Sequence, residues 1–182
     1  MQIKIIIILS LFCLSCNNLP DSTGHSNAIT IISSNDDKEY IQLEFLPILN
    51  KLIYTPILEN MYDISFIEPE RFEEVQYNKN IILISLKHPH DLTSDLLYKK
   101  FYDSYGKESE SIFSLYNLYS QNQLFLCIGS HDATKLSDDI NQYKHWIMNE
   151  IQSNVEKNIL KELYQHNQSN DITEYLKDNF NI

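Results

Sequence analysis

Several stretches of the sequence bring together residue types that could do chemistry. His88-Pro89-His90-Asp91 places two imidazoles and a carboxylate within four consecutive positions. If His131, next to Asp132, came from a neighbouring loop, His88, His90 and His131 could hold zinc, whose catalytic sites use three protein ligands and one open position. Pro89 splays the chain between the two histidines, and the simpler role for Asp132 is to cap the helix that follows. Glu108, Glu110, Asp138 and Asp139 would suit paired acid–base work if two of them met in a sheltered site. As solvated surface charge they need no such meeting. Tyr102, Tyr105, Tyr116 and Tyr119, among twelve tyrosines, could line a sugar or peptide groove, yet tyrosine is also a routine core and sheet residue. Ser111, Ser114 and Ser120 lie in no G-x-S-x-G elbow, and no glycine-rich phosphate loop occurs. Cys127 sits in the apolar run Leu124-Phe125-Leu126-Cys127-Ile128, with nothing near it in sequence to lower its pKa, and reads as a small buried hydrophobe. No catalytic constellation emerges and no cofactor is called for. The expectation leans toward a non-enzymatic binding or structural domain, with a metal-dependent hydrolase built on His88, His90 and His131 as the alternative.

Composition narrows the partners. The chain has 182 residues, 43% of them hydrophobic, enough for one domain with a sizeable core. Its 14 basic and 25 acidic residues give a formal charge of -11. A nucleic-acid binder needs a basic footprint to displace counterions, so that class is excluded. Docking on anionic lipid by charge alone is excluded on the same ground. Arg71 is the only arginine, which rules out a clamp of several guanidinium groups on phosphate.

The elements that must position these residues are read from apolar periodicity. Ala28 to Ser34 is β-branched and apolar, a buried strand. A helical stretch follows from Asn35 to about Tyr54, divided by Pro47, which fits the first turn of a helix burying Ile48, Leu49, Leu52 and Ile53. Tyr62 to Ile67 alternates as a strand, and Pro69 to Val75 makes a short helical turn that sets Phe72 on the core. Asn80 to Leu86 is apolar on both faces and therefore central. Asp91 to about Tyr105 is helical, with Gly106 as its stop. Ser111 to Ser120 has a mixed period that fits neither element cleanly, and Gln123 to Ile128 is another apolar strand. Spacings of three and four from Leu136 through Ile140, Tyr143, Ile147, Ile151, Val155 and Ile159 to Leu163 predict one long amphipathic helix over 132–165. The succession β-α-β-β-α-β plus a long helix predicts an α+β fold, a ferredoxin-like sheet with helices on one face.

The N-terminus carries an address. Lys4 precedes the apolar run Ile5 to Leu14, which is too short to span a bilayer and suits the core of a secretory signal. Leu14-Ser15-Cys16 resembles the lipobox of bacterial lipoproteins, with Cys13 standing where leucine is usual. The resemblance implies a signal peptide over 1–15 and a diacylglyceryl group on Cys16, with two or three acyl chains sufficient for stable anchoring. Cleavage would remove Lys4 and leave 13 basic against 25 acidic residues, near -12. Only Cys127 would then keep a thiol, so no internal disulfide is expected. Residues 16–26, polar with Pro20 and Gly24, read as the lipidated cysteine and a flexible tether, and 27–182 as a single domain. Asn17 resembles the pattern of lipoproteins passed to the outer membrane. The expected place is the cell envelope, on the periplasmic side of that membrane, with an envelope protein or glycan as partner.

Three patches resemble a family of Bacteroidota lipoproteins known as domain of unknown function number 4837. They are Leu19-Pro20-Asp21-Ser22-Thr23-Gly24, then Ile67-Glu68-Pro69-Glu70-Arg71-Phe72 with Lys79-Asn80-Ile81-Ile82-Leu83-Ile84, and finally Asn158-Ile159-Leu160 with Asp171 to Ile182. The resemblance supplies no catalytic residues. It implies members roughly twice as long, so that this chain corresponds to the N-terminal half, as a half-length member or a truncated product.

Overall fold

A computed structural model describes residues 19–54, 58–86, 92–106, 111–129 and 133–166. The apolar runs form the strands they predict: β1 (Ala28–Ile32), β4 (Asp63–Ile67), β5 (Asn80–Ser85) and β7 (Leu124–Gly129). Two further short strands, β2 (Leu52–Tyr54) and β3 (Leu58–Asn60), pair as an antiparallel two-stranded sheet. β6 (Ile112–Tyr116) resolves the ambiguous stretch before β7 as a strand. The helices are α1 (Asn35–Glu44), α2 (Leu46–Leu49), α3 (Phe72–Val75), α4 (Leu92–Tyr105) and α5 (Ala133–His166).

The main sheet has five strands in the order β4-β1-β5-β7-β6. β1 runs parallel to both β4 and β5, β5 runs parallel to β7, and only the edge strand β6 is antiparallel. Every residue of β5 and β7 is buried, as strands covered on both faces must be. On one face Ile29, Ile31, Ile82, Ile84, Leu126 and Ile128 meet aliphatic side chains of α1, α2 and α5, among them Ile41, Leu49, Ile147 and Ile151. On the other, Ile32, Ile81, Leu83, Phe125 and Cys127 meet Phe72 of α3 and Tyr98 and Phe101 of α4. That second face is aromatic: Phe72 lies edge-on to Phe101 and Phe125, with ring centroids 5.8 and 6.0 Å apart.

The sheet-and-helix class and the long C-terminal helix are as expected. Three details correct the sequence reading. The ferredoxin-like arrangement, with helices on one face, gives way to a mostly parallel sheet with helices on both faces, because β1, β5 and β7 are apolar on alternate sides and both sides need cover. α2 ends at Leu49, so Leu52 and Ile53 lie in β2, 53% and 37% exposed, instead of extending a buried helix. The described part of the 16–26 tether, residues 19–26, is bonded into the domain. The Thr23 N–H donates to the Tyr77 carbonyl (2.8 Å), the Lys79 N–H to the Thr23 carbonyl (3.1 Å), and the Gln121 N–H to the Pro20 carbonyl (2.8 Å).

Candidate functional site

Parallel strands all end at one edge of the sheet, and ligands of such sheets bind outside the carboxyl ends where neighbouring crossovers leave for opposite faces. That switch point here lies between β1 and β5. The chain leaving β1 enters α1 on the aliphatic face, and the chain leaving β5 leads to α4 on the aromatic face. Three helix N-termini, those of α1, α4 and α5, follow strands that end at this edge or, for α4 and α5, the loops beyond them.

Local chemistry fixes the β1 side of the crevice. Ser34 caps α1, its Oγ accepting from the Asp37 N–H at 3.2 Å. Asp37 is 1% exposed, and its Oδ2 accepts the Leu86 N–H at 3.3 Å just past the end of β5. A side chain from α1 thus ties the two diverging strand ends together. Asn35 donates through Nδ2 to Glu68 Oε1, and the Ser33 N–H donates to the Ile67 carbonyl (3.2 Å), which ties in β4. Ser85 and Ser94 are buried behind the crevice.

His88, His90, Asp91, His131 and Asp132 all lie outside the described residues, as do Cys16, Glu108 and Glu110. Their anchoring strands are described. β5 and β7 are direct neighbours with Ser85 in register with Gly129, so the segments carrying His88 and His131 leave adjacent strand ends. Among the described residues no group of three histidine, cysteine or carboxylate side chains could hold a metal.

The other sequence candidates disperse. Asp138 is exposed and Asp139 accepts from Ser111 Oγ at 3.2 Å, while Glu108 and Glu110, the other members of that set, lie outside the described residues. Tyr102 stacks on Tyr98, with centroids 5.8 Å apart, and Tyr119 packs edge-on to Phe72 at 5.6 Å, both on the aromatic face. Tyr116 is exposed and donates to Glu150 Oε2 at 2.7 Å, while Tyr105 is exposed on α4. The tyrosines therefore line no common groove. Burial, and secondarily the bond to Glu150, raises the Tyr116 pKa above its ordinary value. Ser120 Oγ donates to the Tyr77 carbonyl at 3.2 Å, and Arg71 is committed to Glu74 at 2.6 Å. Cys127 is fully buried and burial drives its pKa well up, which makes it inert as a nucleophile.

Sequence reasoning missed the opposite, amino edge, where a buried amide network closes the fold. Asn154 Nδ2 donates to Asn80 Oδ1 (2.8 Å) and to the carbonyls of Lys79 and Asn122 (3.3 Å each). Asn158 Nδ2 donates to the Asn122 carbonyl at 3.0 Å, and Gln123 Nε2 to those of Gln76 (2.7 Å) and Asn78 (2.9 Å). Asn117 and Asn122 adopt φ of 54° and 60°, which asparagine tolerates better than most residues. A polar cavity of about 210 Å³ opens there between Asp21, Lys79, Asn158 and Lys161. The available signal was the placement of Asn154 and Asn158 three and seven residues after Ile151, on the buried side of α5.

A family model described as Domain of unknown function (DUF8532) matches residues 22–165. It overturns the resemblance to family number 4837. Of the patches that carried that resemblance, Asn80–Ile84 lies in β5 and Asn158–Leu160 in α5, elements whose apolar patterns recur across unrelated folds, and Asp171 to Ile182 lies outside the described residues. The inference of a half-length chain loses its ground with it. No curated protein and no solved structure matches the chain.

Proposed function

The chain belongs to the DUF8532 family, and from that footing we propose that it is a lipid-anchored lipoprotein of the bacterial cell envelope. Its domain binds an envelope protein or a glycan and performs no catalysis of its own. The observation that carries this reading is the run from Lys4 through Ile5–Leu14 to Leu14-Ser15-Cys16, followed after only two residues by chain that is bonded into the domain. Among the described residues no helix is long and apolar enough to cross a membrane, so the attachment in this reading is the Cys16 lipid. Outer-membrane residence on the periplasmic side follows the Asn17 pattern. The partner surface is the carboxyl edge, where the crossovers diverge and three helix N-termini favour oxygen-rich ligands.

Metabolic labelling with an alkyne palmitate analogue, on wild type and Cys16→Ala, tests the anchor. Label present in wild type and absent from the variant, with membrane fractionation following the label, is the expected result. Unlabelled wild type would end this reading.

A second reading, a metal-dependent hydrolase, draws support from the adjacency of β5 and β7, the strands that precede His88, His90 and His131 in the chain. It requires stoichiometric zinc in the purified protein, lost on His90→Ala; the leading reading expects none.

A further inference from the structure

Two parts of the chain meet at the amino edge of the sheet, the start of the domain and the far end of α5. The Leu19 carbonyl accepts from Gln121 Nε2 at 2.7 Å, and Asp21 and Thr23 bridge to Gln121 and Asn78. α5 continues eight residues beyond Asn158, about 12 Å at helical rise. Along that extension Lys161 pairs with Asp21 at 3.8 Å, and Glu162 pairs with Lys79 at 3.3 Å. The face of the extension turned from those pairs carries Ile159, Leu160 and Leu163, exposed by 37%, 51% and 52%. Tyr77, 41% exposed, stands on the neighbouring loop.

We propose that this amino edge is a lipid-facing surface, on which the domain rests against the bilayer with Tyr77, Leu160 and Leu163 in the interface. The inference rests on the Cys16 anchor of the preceding section. Leu19 lies three residues after Cys16, a span of about 10 Å when fully extended. A domain held on so short a strap cannot turn an arbitrary face to the membrane; the edge where the strap enters must lie closest. Tyrosine favours the headgroup level, and leucine on an amphipathic helix face favours the acyl boundary. The four charges nearest the strap are paired with each other, in a chain of formal charge -11. The contact is therefore apolar and insensitive to salt. The carboxyl edge, at the opposite end of the strands, faces away from the bilayer and stays free for a partner.

Tryptophan depth measurements on the full lipidated protein test this. Trp146→Phe removes the single tryptophan, and Leu163→Trp or Asn35→Trp then reports on the amino or the carboxyl edge. Each variant is reconstituted into phosphatidylethanolamine–phosphatidylglycerol vesicles with plain or brominated acyl chains. Mass spectrometry of the N-terminal peptide records the lipid, and a cooperative melt confirms folding. The expected result is a blue shift and loss of most emission at position 163 in brominated vesicles, unchanged at high salt, with no change at position 35. Equal quenching at both positions, or none at 163 in protein shown to carry lipid on Cys16, would overturn the proposal. Emission at 163 that ignores bromine but shifts with a concentration-dependent doubling of mass would assign the stripe to a second copy, and also overturn it. An unmodified Cys16 would be seen separately in the mass, and would remove the anchor and this orientation together.

Discussion

The two ends of the parallel strands are built on different physics. At the amino edge, side-chain amides from α5 and the loops before β5 and β7 satisfy backbone carbonyls that the sheet leaves over. Asn154 alone reaches three of them or their neighbours. Buried polar groups are expensive unless fully paired, and a network that pairs them becomes rigid. At the carboxyl edge the described ties run between strand ends and the start of α1: the Ser34 cap, the Asp37 carboxylate across the gap between β1 and β5, Asn35 to Glu68, and the Ser33 N–H to the Ile67 carbonyl. The described bonds of one edge join the first and last parts of the domain, and those of the other join β1 and α1 to the neighbouring ends of β4 and β5.

Substitutions grade that contrast. Asn154→Leu fits the helix but leaves the buried Asn80 amide oxygen without its donor and takes one of two donors from the Lys79 and Asn122 carbonyls, at a cost of about 3 kcal/mol in urea unfolding. Asp37→Ala leaves the buried Leu86 N–H without its acceptor, at a cost of about 2 kcal/mol, and Asp37→Asn recovers most of it because an amide oxygen still accepts. If Asp37→Ala cost more than Asn154→Leu, the ranking of the two edges would be reversed. Ser34→Ala removes the α1 cap and costs about 1 kcal/mol by the same measurement. The smallest effect is one of pH. The Ser26 hydroxyl and the Lys79 ammonium beside Glu162 hold its carboxyl below the ordinary range. A lowered folded pKa gives stability that is present above the unfolded value, about 4.3, and is lost as pH falls through the folded value. Glu162→Gln therefore lowers stability slightly in the neutral region, leaves it unchanged below the folded value, and so flattens the acid limb of the stability profile.

What the sequence revealed follows the same division. β5 and β7 are legible because strands buried on both faces must be apolar throughout, and NIILIS and LFLCIG are nearly so. α5 is legible because its first five turns repeat the spacing of a helix lying on a sheet. Past Val155 the buried face turns polar at Asn158, while Ile159 and Leu163 are exposed, so the periodicity there no longer reports burial. Strand direction was not legible. Whether a crossover passes over one face or the other depends on which side chains it must cover, and both faces of β1 and β5 are apolar. The short β2–β3 pair was hidden because Leu52 and Ile53 continue an apolar count that Ile48 and Leu49 begin. The carboxyl edge was partly legible: His88 and His131 were read as loop residues after strands, and the strands prove adjacent. The amino edge was not, because its clamp is made of asparagine and glutamine, which carry no pattern until their carbonyl partners are placed in space.

The central claim is that the first described residues belong to the fold, which under the proposed lipidation of Cys16 would hold the domain close to the membrane. Native-state hydrogen exchange of the Thr23, Lys79 and Gln121 amides tests it most directly, since each donates across the junction between that segment and the domain. The account predicts protection approaching that of β5. Exchange of all three at the rate of an unstructured chain, while β5 stays protected, would contradict it and return residues 19–26 to the role of a tether.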